Sequence, residues 1–187
     1  MNSGAGGCRR RWVGAAGGKP WIVPRTSRTC AGVSRVARSE EEQARQPLLD
    51  DFFVAPVIDV QRENDLKLGE AATAVLPPPL AVGASSAYLR EADKLSFDWP
   101  IADVAAALER DEQGRCRRAA VVLGAAAPAP RRARAAEDLL VGKAIDEMSA
   151  RAAGDAALEG ATPLAKNRHK LPIFAALVRR AVLRAAG

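Results

Sequence analysis

The sequence predicts an α+β fold, a soluble domain with no self-contained active site. Three observations predict it. Short apolar runs punctuated by proline or glycine recur from Phe52 to Ala127, the pattern of short strands. From Arg131 onward the apolar residues recur at helical spacing. Of the 187 residues 48% are hydrophobic but only 4% aromatic, so the core is built largely from small side chains such as the alanines of Val104 to Leu108.

The first 49 residues hold seven of the 15 glycines and little periodicity, so an irregular segment is expected there, with a boundary near Pro47. Phe52, Phe53 and Val54 form an apolar cluster ended by Pro56. Ala72 to Leu76 reads as a short strand stopped by the prolines at 77–79, and Ser86 to Arg90 as an extended segment with Tyr88 and Arg90 on one side. In "WPIADVAAALER" the residues Ile101, Val104, Ala105 and Leu108 fall at i, i+3, i+4 and i+7, which by period alone is a helical face. "DEQGR" at 111–115 is a turn, and "AAVVLGAAAPAP" is a strand running into a proline-punctuated loop.

The remaining elements are helices. One begins at Arg131, with Ala135, Leu139 and Leu140 apolar and Gly142 as a C-cap; a second spans Ile145 to Ala157 and ends near Gly160. In the last, Pro172 suits the first turn, and Phe174, Leu177, Val178 and Ala181 make an apolar stripe from which Arg179, Arg180 and Arg184 point away.

Charge and cysteines narrow the function classes. The net charge is +6, but residues 1–49 carry nine Lys/Arg against three Glu, which leaves a neutral body of 19 basic and 19 acidic residues. A basic segment without a helical face reads as a solvated tail rather than a nucleic-acid site. Three widely spaced cysteines and one histidine encode neither a disulfide framework nor a zinc site, and a reducing cytoplasm is the simplest home. No apolar run approaches the roughly 20 residues that cross a bilayer, and the stretch after the arginines at 9–11 makes a poor signal peptide.

Tests for chemistry return little. "GAGG" at 4–7 and "GAAGG" at 14–18 complete neither GxGxxG nor GxxxxGK[ST]. His169, in "KNRHK", has no nucleophile that can be paired with it from sequence and reads as a surface or capping residue. The pairs Asp50 with Asp51 and Asp93 with Asp98 read as solvated or capping acids. No catalytic or metal-binding residue is assigned.

Five ordered segments carry a resemblance: "PLLDDFFVAP", "DVQRENDLKLGEAATAVLPPP", "SSAYLREADKLSFDWPIADVAAAL", "VVLGAAAPAPRRARAAEDLLVGK" and "TPLAKNRHKLPIFAALVRRAVLRAA". In this order they are similar to the C-terminal part of the FAD-binding (medium) subunit of molybdenum hydroxylases, of the xanthine dehydrogenase and carbon monoxide dehydrogenase flavoprotein type. The ending "NRHKLPIFAALVRRAV" resembles the "N-x-Y/H-K-x-P" entry into the last helix of the bacterial xanthine-dehydrogenase-type subunits.

The resemblance implies an α+β architecture with a three-stranded antiparallel sheet packed against C-terminal helices, preceded by a remnant of the FAD-binding domain. The implied divisions are residues 1–49, an irregular or damaged segment; 50–80, the end of the FAD-binding domain; and 81–187, a CO dehydrogenase flavoprotein C-terminal-like domain. It overrides the local helix reading of "DVAAAL", which in the family is a strand. It also implies FAD on this subunit, with the molybdenum cofactor on a large partner subunit, iron–sulfur clusters on a small one, and electrons passing through FAD to an acceptor. Nucleic acid and membrane are not among the implied partners, and the chain alone is expected to be inactive.

Two matched positions are implied flavin contacts: Ala72, and Arg90 where the family has the lysine of "S-A-Y-x-K", a change that keeps charge but alters donor geometry. The family's "A-G-G-T-N/S" and "T-x-G-G-N" loops, which grip the pyrophosphate, have no counterpart strings here. "GGKPWIVPRTSRTCAGVSRVARSEEE" resembles a degraded form of the family's "GG-x-P-C-W-I-V-x-P-S-D-T-C-A-A-L" stretch. The chain is therefore expected to be a truncated FAD-binding subunit, the competing reading being a non-catalytic assembly module that no longer binds FAD.

Overall fold

The computed structural model describes residues 33–38, 45–76, 81, 83–94 and 98–187. The glycine-rich strings at 4–7 and 14–18, the arginines at 9–11 and the proline run at 77–79 lie outside these residues.

The folded body is a four-stranded antiparallel sheet covered by helices. Its strands β3 (Ala84–Glu91), β4 (Ala102–Arg110), β5 (Cys116–Gly124) and β6 (Arg131–Arg132) lie in sequential order, after β1 (Val33–Arg38), α1 (Leu49–Phe52) and β2 (Glu70–Leu76). Three helices follow, α2 (Arg134–Leu140), α3 (Glu147–Ala156) and α4 (Lys170–Ala186).

"DVAAAL" is a strand, not a helix. In β4 it is Ala102, Val104, Ala106 and Leu108, alternate residues, that are excluded from solvent, as one face of a pleated strand requires. The helical spacing of Ile101, Val104, Ala105 and Leu108 was an accident of alanines filling both faces. Tight turns join the strands where the sequence placed them: between β4 and β5 the Asp111 carboxylate accepts from the amides of Gln113 and Arg115, and Gly114 takes a positive φ.

The expected three-stranded sheet is corrected to four. Residues 131–132, expected to open a helix, instead return along β5, pairing Val122 with Arg132 and Leu123 with Arg131. A two-residue strand has no period to read, and the first helix starts only at Arg134. Beyond it Gly142 has φ +80° and follows the cap at Val141, while Leu139, expected on the apolar face, is about one-third exposed (36%).

The core lies between the inner sheet face and the helices. Val104, Leu108, Val121 and Leu123 meet Leu140, Phe174, Leu177, Val178 and Val182, with alanines between them. Small residues permit close approach: a Cβ on Gly154 of α3 would stand 2.6 Å from the carbonyl oxygen of Ala175 in α4. Helix α3 starts at a capping box in which Asp146 accepts from the Ser149 amide at 2.7 Å and the Asp146 amide donates to Ser149 Oγ at 2.9 Å. The Ser85 hydroxyl donates to the Ala185 carbonyl, tying β3 to the end of α4.

Ahead of the body, β1 falls in the segment expected to be irregular and pairs antiparallel with β2. Leu49 and Phe52 form a separate small core with Phe53 and Leu66, the two phenylalanine rings meeting edge to face at 5.7 Å. Arg45 organises this part: Nε and Nη2 reach the Glu70 carboxylate at 3.0 and 2.7 Å, and Nη1 reaches Asp65 at 2.6 Å.

Candidate functional site

The two implied flavin contacts stand on different sheets. Ala72 lies on β2, exposed and paired with Val36 of β1; Arg90 lies near the end of β3, exposed and paired with Asp103 of β4. The Arg90 guanidinium donates to the carbonyl of Asp98, so it closes the loop from β3 to β4.

Beside Arg90 the strand ends gather a polar cluster that sequence reading left unassembled. Tyr88 Oη donates to Asp103 Oδ2 at 3.0 Å. Burial, then the charge and hydrogen bond of Asp103, push the Tyr88 hydroxyl well above the ordinary tyrosine range. Burial also raises the Asp103 carboxyl, opposed by the bond from Tyr88, the charges of Arg90 and Lys170 and the Gly124 amide. Glycine at 124 leaves room for the Asp103 carboxylate: a Cβ there would stand 1.6 Å from Asp103 Oδ1 and force that carboxylate to move. Next to it Ala125 has φ +55°, and Lys170 Nζ from the start of α4 donates to its carbonyl at 2.7 Å. The lysine of "N-x-H-K-x-P" thus pins the loop after β5 at the sheet end that carries Tyr88 and Arg90.

The other candidates have structural roles. His169 is exposed at the N-cap of α4 and makes no capping bond. Asp98 Oδ1 accepts from the Trp99 amide, and Asp93 is exposed. Burial raises the Cys116 thiol and keeps it protonated. Among the described residues no three His, Cys, Asp or Glu could share a metal, and no helix is long and apolar enough to cross a membrane.

At the opposite strand ends a cleft of about 280 Å³ opens between β5, β6 and α2, lined by Arg117, Arg118, Arg132, Arg134, Glu137 and Asp138 among others. Neither Ala72 nor Arg90 borders it. Two exposed positions on separate sheets do not by themselves make a dinucleotide cradle. What the described residues supply is an edge: a cation at Arg90 held by a backbone carbonyl, over a phenol fixed by a carboxylate.

Comparison with known proteins gives this geometry its context. Residues 86–185 match the family of the CO dehydrogenase flavoprotein C-terminal domain. The chain is 34% identical over 132 residues to the aldehyde oxidoreductase FAD-binding subunit PaoB of Escherichia coli (strain K12), covering 70% of this chain and 37% of that protein. Among solved structures it is similar to quinoline 2-oxidoreductase from Pseudomonas putida 86, with a TM-score of 0.70 and 28% identity, covering 83% of this chain and 52% of that one. Carbon monoxide dehydrogenase from Hydrogenophaga pseudoflava is similar at a TM-score of 0.68 and 27% identity, over 83% of this chain and 52% of that one. The chain spans about half the length of these solved relatives.

Proposed function

This chain belongs to the CO dehydrogenase flavoprotein C-terminal domain family, and we propose that it is part of an FAD-binding subunit of a molybdenum hydroxylase. The observation that carries the reading is that the matched residues 86–185 run from β3 to α4 and so coincide with the sheet-and-helix body. In the proposed complex the molybdenum cofactor sits on a large subunit and the iron–sulfur clusters on a small one. FAD supplies the redox chemistry, relaying electrons from those clusters to an acceptor. The substrate is chosen elsewhere in such a complex, and the similar proteins are aldehyde, quinoline and carbon monoxide oxidoreductases, which favour a molybdenum hydroxylase subunit without singling out xanthine dehydrogenase.

The chain's own residues would bind and orient. Residues 50–80 stand as the end of the FAD-binding domain, in which Ala72 offers strand backbone to the flavin, and residues 81–187 as the C-terminal domain, from which Arg90 offers a positive charge. Tyr88 and Asp103 hold β3 against β4 beside Arg90 and so position it. Three widely separated cysteines, an odd number, fit a reducing cytoplasm.

The competing reading is an assembly module of the same complex that does not bind FAD, and it is compatible with the intact body core. The test is retention of flavin absorbance after the full chain is mixed with FAD and desalted, alone and with the iron–sulfur and molybdenum subunits. Stoichiometric flavin, reduced by an Arg90→Ala substitution, supports the FAD-binding role. Association with the partners but no flavin in either mixture selects the assembly module, and neither flavin nor association overturns both.

A further inference from the structure

The arginine-lined cleft has no part in the flavin reading, and its composition is selective. Four guanidiniums, Arg117, Arg118, Arg132 and Arg134, line it with only two carboxylates, Glu137 and Asp138, a surplus of two positive charges. Two of the cations are held in place: Arg132 Nε is fixed by both oxygens of Glu137 at 2.7 and 2.9 Å, and Arg118 Nη1 lies 3.4 Å from Glu109. The Arg132 bond uses Nε alone, which leaves its Nη donors without a hydrogen bond among the described residues. Arg117 and Arg134 are exposed and have no carboxylate partner among the described residues.

Adjacent strand residues ordinarily face opposite sides, yet Arg117 and Arg118 both line the cleft. The cause is a register shift: Glu109 pairs with Arg118 while Arg110 pairs with Cys116, so Arg117 is the extra residue of a bulge, which re-aims its side chain. Guanidinium forks match phosphate oxygens two at a time. The volume of about 280 Å³ lies just under the roughly 300–1,000 Å³ of sites for drug-sized ligands, so it suits a small oxyanion and not a whole dinucleotide.

We propose that this cleft is a binding site for a diphosphate group, held between Arg117 and Arg134 over the Arg132–Glu137 pair. The diphosphate is recognised as a group, whether free or carried by a nucleotide.

The test is calorimetric titration of the full chain with sodium pyrophosphate at low ionic strength, with ADP as a second arm and sodium chloride at matched ionic strength as the blank. Saturable single-site binding of pyrophosphate is expected. Replacing either exposed arginine, Arg117→Gln or Arg134→Gln, should weaken it by about tenfold or more, since each removes charge-assisted bonds. Arg134→Lys should recover only part of the loss, because a point charge cannot reproduce the fork. Circular dichroism and the thermal midpoint should not change in these surface variants. ADP should follow pyrophosphate in both affinity and response to the variants. Heat no larger than the chloride blank overturns the proposal. So does binding that both variants leave intact, as the arginines of residues 1–49 would give, or ADP binding that is insensitive to them.

Discussion

Replacing Glu137 should expose how the sheet is ended. Glu137 is 6% exposed, and its Oε1 accepts from the amide of Val121 at 2.9 Å, a residue fully excluded from solvent. Strand β6 covers β5 only at Val122 and Leu123, and next to them Ala133 donates to the Val121 carbonyl, so the Glu137 carboxylate takes the place of the strand acceptor that β6 is too short to provide. Glu137→Ala orphans that buried amide, at about 1–3 kcal/mol, and strips Arg132 of its partner. Breaking a buried pair costs roughly 3–5 kcal/mol, and because the Arg132 side chain is 22% exposed and partly solvated, we expect the low end, about 3 kcal/mol. Glu137→Gln keeps an acceptor for Val121 but loses the charge, for about 1–2 kcal/mol. Urea denaturation followed by circular dichroism reads both, provided the slope m is unchanged. If Glu137→Ala fell within about 0.5 kcal/mol of the parent, the scale of an ordinary surface substitution, the reasoning would be wrong. Equal losses for Ala and Gln would show that the Val121 amide is not the main debt.

Gly154→Ala should destabilise: the gain of about 1 kcal/mol in helix propensity is outweighed by a Cβ placed 2.6 Å from the Ala175 carbonyl, and thermal melting that shows a net gain would refute the close crossing of α3 and α4. Tyr88 is the chain's single tyrosine, so its ionisation can be followed by ultraviolet absorbance. It should ionise above pH 10.0 and fall part of the way back in Asp103→Asn, which removes the carboxylate's share but not the burial; ionisation at the ordinary value in both proteins would contradict the geometry. The bond from Arg45 lowers the Glu70 carboxyl to about 2 from 4.5, so its stabilising contribution is present above pH 4.5 and lost as pH falls from there toward 2. Carboxyl NMR should show that midpoint move back up in Arg45→Gln, and an unmoved midpoint would discount the Arg45 bond.

Where a residue's neighbours in sequence are its neighbours in space, the sequence was legible. The last helix announced itself because Phe174, Leu177, Val178 and Ala181 are large enough to mark one face, and all four are buried. The turn at 111–115 was legible for the same reason, its aspartate bonding amides two and four residues on. In β4 the strand period was hidden, because Ala105 and Ala107 on one face look the same as Ala102 and Ala106 on the other. Resemblance, not periodicity, typed it correctly.

The sites were less legible because they are built from residues far apart in the chain. The Tyr88–Asp103 bond follows from antiparallel pairing in which Tyr88 sits opposite Ala105, two residues from Asp103's own partner Arg90, and nothing local to either residue signals that register. Gly124 could have been a clue, since a glycine ending an apolar run marks a close approach, yet what approaches it is a side chain more than twenty residues earlier. In the arginine cleft nothing local to Arg117, Arg118, Arg132 or Arg134 signals that they converge. Three structural events gather them: the bulge that turns Arg117, the two-residue strand that returns Arg132 alongside β5, and the Glu137 carboxylate that stops that strand and fixes its arginine. The same short strand that corrected the sheet from three strands to four therefore builds the cleft, and a change that lengthened β6 would be expected to displace Glu137 from Val121 and disperse the cluster of cations.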